Sequence, residues 1–334
     1  MEIFLKKELF LKNVVICFKV KMYSNKNCIM KSRFTYFALI FFSVLYAQQE
    51  AQFTQYMHNT FNFNPAYTGS RGTMNIFILH RAQWIGLGGA PETNTVSISS
   101  PIEGTNLGVG LSIINDKIGI SNQNSIATAI SYSIKTSKKY KLSFGLQCTA
   151  QLLSVDFSRL TLRNPGDYAI SQQSSIDNSF SPNIGAGIYF YSDKMYFGLS
   201  IPQLLDAKYY NDNASTVYSE QKHSFFMAGR VLDLNENIKF KPAILSKIVP
   251  GAPMQLDVSG NFLIYDKITF GAAYRWNVAM SGLAGFQINN SWYIGYAYDL
   301  ETTKLAHYNS GSHEIFLRFE VFKNYNKIIS PRFF

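Results

Sequence analysis

"LSFGLQCTAQL", residues Leu142–Leu152, separates into two faces. Leu142, Phe144, Leu146, Cys148, Ala150 and Leu152 are apolar, while Ser143, Gly145, Gln147, Thr149 and Gln151 are polar or tiny, and none is charged. A strand sends successive side chains to opposite faces, so one face here is oily and the other wet. In a soluble protein the oily face meets a core. In an outer-membrane barrel it meets lipid, and the wet face lines the lumen. Alternation alone does not choose between them.

The pattern recurs along the chain. Ile126, Thr128, Ile130, Tyr132 and Ile134 alternate with small residues, as do Ile268, Phe270, Ala272, Tyr274 and Trp276, and again Trp292, Ile294, Tyr296, Tyr298 and Leu300. About fourteen such segments are readable, near 73–84, 93–101, 106–115, 123–135, 139–152, 183–191, 194–202, 221–232, 236–247, 252–264, 267–276, 279–288, 291–300 and 312–322. They are separated by short turns such as "YDK" and "INN", and by two longer polar connections at 153–182 and 203–220. Tight turns at one end and long loops at the other suit an outer-membrane barrel. Glycines such as Gly108, Gly110, Gly145, Gly187, Gly271 and Gly295 fall mostly opposite the aromatics, so they are expected to face the lumen.

Composition favours the membrane over the soluble alternative, an all-β sandwich or paired barrels. Of 334 residues 15% are aromatic and only 16% charged, against about 25% charged in soluble domains. The wet faces carry Gly, Ser, Ala, Thr and Gln where soluble surfaces carry Lys and Glu. The net charge of +10 does not indicate a nucleic-acid partner. Residues 1–47 hold eight Lys or Arg and two acids, so +6 of it lies there and the remainder is ordinary.

"MKSRFTYFALIFFSVLYAQQE" from Met30 reads as a secretory signal peptide, residues 30–47, with Lys31 and Arg33 before an apolar stretch and cleavage expected near Ala47. Residues 1–29 read as an over-extended start. After residue 47 no run of eighteen apolar residues occurs, so no spanning helix is expected. Cys148 is then the sole cysteine, which leaves no intramolecular disulfide, and it reads as a small apolar residue. Residues 48–71 do not alternate. Phe53, Tyr56 and Met57 have the spacing of a short helix, which Pro65 would stop. Such a piece either plugs the lumen or rests at its periplasmic mouth. The barrel is expected over 72–323, with a tail over 324–334.

Catalytic and metal chemistry find no motif. The five histidines lack metal-ligand spacing, no G-x-S-x-G occurs, and "GVG" and "GAG" lie inside alternating strands rather than before a helix. No cofactor or catalytic residue is assigned. Three clusters nevertheless combine polar groups with aromatics: "NFNPAYTGS" from Asn62, "HRAQWIGLGGAPET" from His80, and "YAYDL" with "GSHEIFL" at Tyr296–Leu300 and Gly311–Leu317. Turn and girdle chemistry explains their composition but not this density.

On these residues the chain resembles the PorP/SprF family of outer-membrane proteins of the type IX secretion and gliding machinery of Bacteroidetes. The resemblance rests on Gln55-Tyr56-Met57, Asn64-Pro65-Ala66-Tyr67-Thr68-Gly69, Arg81 with Gln83-Trp84, Gly89-Ala90-Pro91, Tyr296 to Asp299, and Gly311-Ser312-His313-Glu314. It implies a single barrel of about fourteen antiparallel strands that is not an enzyme. It also implies partners: outer-membrane lipid, a secreted adhesin or its C-terminal domain, and periplasmic type IX subunits. The partner-binding or lumen candidates are Gln55, Tyr56, Asn64, Pro65, Tyr67, Arg81, Gln83, Trp84, Asp299, His313 and Glu314. A wet lumen also admits a small-molecule channel as the alternative function.

Overall fold

The structure is a computed structural model that describes residues 52–160, 175–205, 208–210, 216–219 and 221–321. The signal peptide, the start upstream of Met30, the tail over 324–334 and the middles of both long connections lie outside these residues. The strands are β1 (Met74–Ala82), β2 (Glu92–Pro101), β3 (Leu107–Ile118), β4 (Ser121–Lys135), β5 (Lys141–Val155), β6 (Ile176–Tyr191), β7 (Met195–Ile201), β8 (Lys208–Tyr210), β9 (Thr216–Ser219), β10 (Ser224–Arg230), β11 (Leu232–Asp233), β12 (Ile238–Ile248), β13 (Gln255–Ile264), β14 (Ile268–Arg275), β15 (Ala279–Gln287), β16 (Trp292–Glu301) and β17 (Ser312–Val321).

Fourteen of them close a barrel, each pairing antiparallel with its neighbours. The seam that makes it a cylinder is twofold: β1 pairs with β17, from Met74 opposite Val321 to Ala82 opposite His313, and β10 pairs with β12. Closure pairs each of these strands on both sides, which suits a lipid environment. β11 is a stub that continues β10 beyond Val231 and pairs with β12. β8 and β9 form a separate hairpin in the β7–β10 connection.

The opening stretch, now β5, gives the orientation. Ser143 and Gln151 are 0% exposed, whereas Phe144 is 42% and Leu146 64% exposed. The oily face points outward and the wet face inward, the reverse of a soluble sheet. The rule holds around the wall, with Ile130, Leu199, Phe226, Phe270 and Ile315 outward and Ser97, Ser131, Asn183, Asn261 and Asp299 inward. No helix among the described residues is long and apolar enough to cross a membrane; the strands make the span. Trp276 near one rim, and Trp292 and Tyr265 near the other, are exposed on the outside of the wall, where amphipathic rings prefer the headgroup level.

The two rims differ. Connections after β2, β4, β6, β11, β13 and β15 have five residues or fewer, whereas at the other end β5–β6 and β7–β10 take 20 and 22, beside turns of two after β3 and three after β14. Short turns mark the periplasmic rim and long loops the outer one. One expectation needs correction at its edges. The long connection was expected over 153–182, but β5 runs to Val155 and β6 already starts at Ile176. Asp177, Asn178, Ser179 and Ser181 interrupt the apolar alternation in this part of β6, so the period-two signal vanishes. A register shift between Leu153 and Val155 accompanies this extension.

Candidate functional site

The barrel has a core, and it is the lumen. Residues 52–73 run through it from the outer rim to the periplasmic rim, where β1 begins. Instead of the expected short helix, the chain makes single turns, with 3-10 turns at Thr60–Asn62 and Pro65–Tyr67. The reason is chemical: the Thr54 and Gln55 amides donate to a wall carboxylate, and Asn64 and Pro65 form a turn of their own.

The upper anchor is built by parity. Arg81 and Glu314 are opposite each other across the β1–β17 seam, and Asp299 is on β16 beside them. Inward alternation points all three at one spot. Arg81 is 2% exposed, Asp299 1% and Glu314 0%. Arg81 Nη2 donates to Asp299 Oδ2 at 2.6 Å, and Nη1 to Glu314 Oε2 at 3.1 Å and to Thr54 Oγ1 at 2.9 Å. One guanidinium cannot offset two buried carboxylates. The segment supplies the balance: Thr54 N donates to Glu314 Oε2 at 2.9 Å, Gln55 N to Oε1 at 2.8 Å, and Thr54 Oγ1 to Asp299 Oδ2 at 2.6 Å. Buried charge is tolerated when paired and hydrogen-bonded in this way. Gln83 reaches Arg81 only at 3.5 Å. Trp84, in the first outer loop, donates from Nε1 to Glu301 at 2.9 Å and from its amide to Ser312 Oγ at 3.1 Å.

Lower down, the segment lies on a wall cleared for it. Asn64 accepts from the Ala66 amide at 2.9 Å and donates from Nδ2 to the Ile188 carbonyl at 3.0 Å. Ser200 donates to the Phe63 carbonyl at 2.6 Å and Ser131 to the Thr68 carbonyl at 2.7 Å. A Cβ on Gly145 would lie 2.2 Å from the Ala66 nitrogen, and one on Gly108 2.5 Å from the Thr68 oxygen. Only glycine admits this approach of two backbones. Aromatic edges fill the rest: Tyr67 meets Tyr189 at 5.6 Å, and Phe63 meets Phe225 at 5.3 Å. Tyr56 bonds Ser259 through its hydroxyl at 3.3 Å, and burial raises its pKa.

Toward the periplasmic rim Arg71 pairs with Glu320, which also receives Arg318 Nε at 3.2 Å. His58 packs over Phe316 and Tyr293, with ring centroids at 4.7 and 5.4 Å. Its Nδ1 stands 3.3 Å from Arg318 Nη1, which can only donate, so Nδ1 accepts. Burial first, and then the charges of Lys241, Arg318 and Arg71, hold the His58 pKa well below its ordinary value.

The sequence candidates therefore divide. Gln55, Tyr56, Asn64, Pro65, Tyr67, Arg81, Asp299 and Glu314 gather in the lumen; Gln83 and Trp84 sit at its outer rim. His313 does not join them: beside Glu314 on β17, it faces outward and meets the Tyr296 hydroxyl at 2.6 Å. Sequence reasoning missed Thr54, Arg71, Lys241, Asp257, Arg275, Arg318 and Glu320. For those on strands a signal existed, because a charged residue at an inward parity position belongs to the lumen.

Against known proteins, a family model described as "Type IX secretion system membrane protein PorP/SprF" matches residues 45–319. Among solved structures, the chain is similar to the Acinetobacter baumannii outer membrane protein Omp33, at 6% identity and a TM-score of 0.44 over 75% of this chain and 98% of that one. It is similar to the Ralstonia pickettii toluene transporter TbuX at 10% identity and a TM-score of 0.46, over 80% and 93%. The same coverage and score hold for the CymD monoaromatic hydrocarbon channel at 11% identity. No curated protein matches the chain by sequence.

Proposed function

The chain belongs to the PorP/SprF family of type IX secretion system membrane proteins, and from that premise we propose that it holds a secreted adhesin, through that protein's C-terminal domain, at the cell surface or during export. It is an outer-membrane component of the secretion system, and its wall meets lipid. The observation that carries the finer reading is the filled lumen. The inward face of the wall is buried against residues 52–73, fixed at the top by Arg81, Asp299 and Glu314 and at the bottom by Arg71 and Glu320. A conducting pore needs a wet path, whereas a filled cylinder offers its two rims as binding surfaces. The outer rim carries the longest connections and Trp84, a residue type prominent in binding hot spots. The periplasmic rim remains for secretion-system subunits.

Co-purification tests this. A tagged full-length copy is extracted from native outer membranes in mild detergent and its bound proteins are identified by mass spectrometry. A large secreted protein in near-equal amount is the expected outcome. Periplasmic subunits without a secreted protein would contradict adhesin holding but keep the secretion role, and a barrel recovered alone would return the choice to a channel.

A further inference from the structure

On four neighbouring strands the outward face changes character together toward the outer rim. Ile78 gives way to His80 on β1, Val96 to Asn94 on β2, Ile113 to Asn115 on β3, and Ile126 to Asn124 on β4. Register sets the polar residues side by side: His80 is opposite Asn94, Asn94 opposite Asn115, and Asn115 opposite Asn124. The aliphatic residues form the adjacent row by the same pairings. We propose that the polar row seats the sugar headgroup of a glycolipid in the outer leaflet.

The aliphatic row is continuous with the lipid-facing wall. An amide or an imidazole in hydrocarbon is costly, so the row beyond it meets headgroups rather than tails. Its charge states which kind. Glu92 and Lys117, one step nearer the rim on the same face, stand directly opposite each other and offset. A phosphate calls for clustered Lys or Arg. Sugar hydroxyls call for donors and acceptors together, because each hydroxyl is both.

The row supplies these groups already fixed. Asn115 Nδ2 donates to Asn122 Oδ1 and to Asn124 Oδ1, each at 2.8 Å. That fork leaves Asn115 Oδ1 as an acceptor and the Nδ2 groups of Asn122 and Asn124 as donors. His80 Nδ1 stands 2.8 Å from Asn94 Oδ1, which can only accept, so Nδ1 donates. His80 Nε2 and Asn94 Nδ2 then remain for a ligand. Across β17 the face continues in rings: Tyr296 is 41% exposed, and its hydroxyl meets His313 Nδ1 at 2.6 Å. Amphipathic rings of this kind sit at the headgroup level. His313, which the lumen does not use, belongs to this outer face.

The proposal does not rest on the secretion reading. A secreted polypeptide is the other occupant that the face could take, and the test separates the two. The full chain in mild detergent is titrated with three lipids and the bound species are read by native mass spectrometry. The probes are lipid A, an acylated glucosamine disaccharide; the same molecule after dephosphorylation; and phosphatidylglycerol. Both glycolipids are expected to bind about tenfold more tightly than phosphatidylglycerol, the worth of one or two net hydrogen bonds. Asn94→Leu and Asn115→Leu should each remove most of that preference. Thr128→Leu, outward within the apolar part of β4, should leave it intact. All three positions face away from the lumen, so the core that holds the barrel is untouched. Binding lost on dephosphorylation would make this a phosphate site and overturn the proposal. Equal affinity for phosphatidylglycerol, or a preference indifferent to Asn94→Leu and Asn115→Leu, would do the same. A secreted protein that co-purifies with the native chain but not with these two variants, in the absence of any glycolipid preference, would give the face to a polypeptide instead.

Discussion

At the scale of single residues, the lumen is held by charges that cannot be removed one at a time. Arg81→Met would leave Asp299 and Glu314 buried with no cation between them. Breaking one partner of a buried pair costs about 3–5 kcal/mol, so the variant should unfold at clearly lower urea in lipid vesicles. Adding Glu314→Gln should restore part of that loss, because the two residues share one network. His58 predicts a pH dependence. In the folded barrel its pKa lies well below the ordinary 6.5, chiefly through burial. Below that pH the unfolded chain takes up a proton that the folded one refuses. Stability is thus full above pH 6.5 and declines as the pH falls, by up to about 1.4 kcal/mol per pH unit. Urea titrations between pH 7 and pH 5 should show a shallower slope for His58→Gln. An unchanged slope would mean that His58 is protonated in place. Of these residues the family resemblance brought out Arg81, Asp299 and Glu314, and their inward parity agrees with it. The sequence did not expose Thr54 or His58, because a segment with no period gives no rule for which side chain faces what.

At the scale of elements, the fit between the segment and the wall rests on glycine. Gly145→Val would push a side chain into the Ala66 backbone. The segment should leave its seat while the hydrogen-bonded wall persists. Hydrogen exchange should therefore rise over Asn64–Thr68 and stay slow in β4 and β5. Gly282→Val, where an added Cβ meets nothing within 4 Å, is the matched control and should change neither. Strand number, strand order and facing were all legible, since a lipid-facing wall repeats with period two. Strand ends were not. β6 begins with a polar run, so Asp177, Asn178 and Ser179 sit in a strand that reads as loop. The lumen-facing direction of the glycines was legible, but not what they approach, because that depends on a partner segment far away in sequence, such as Ala66 for Gly145 and Asn64 for Gly187.

At the scale of the whole molecule, the oily faces make a belt and the wet faces a core. Cys148 tests the belt. It is exposed on the outer face of β5, and it is the only cysteine after residue 47. A fluorophore attached there should be quenched by brominated lipid tails in reconstituted vesicles; quenching only by aqueous iodide would place β5 the other way round. The core is the more consequential claim, since a filled lumen is what separates a holder of proteins from a conduit for solutes. Planar-bilayer conductance decides it most directly. The full-length barrel should insert without current steps, whereas a variant lacking residues 48–71 should give steady ohmic steps. Steps of similar size from both proteins would show that the segment does not close the lumen, and would contradict the reading built on it.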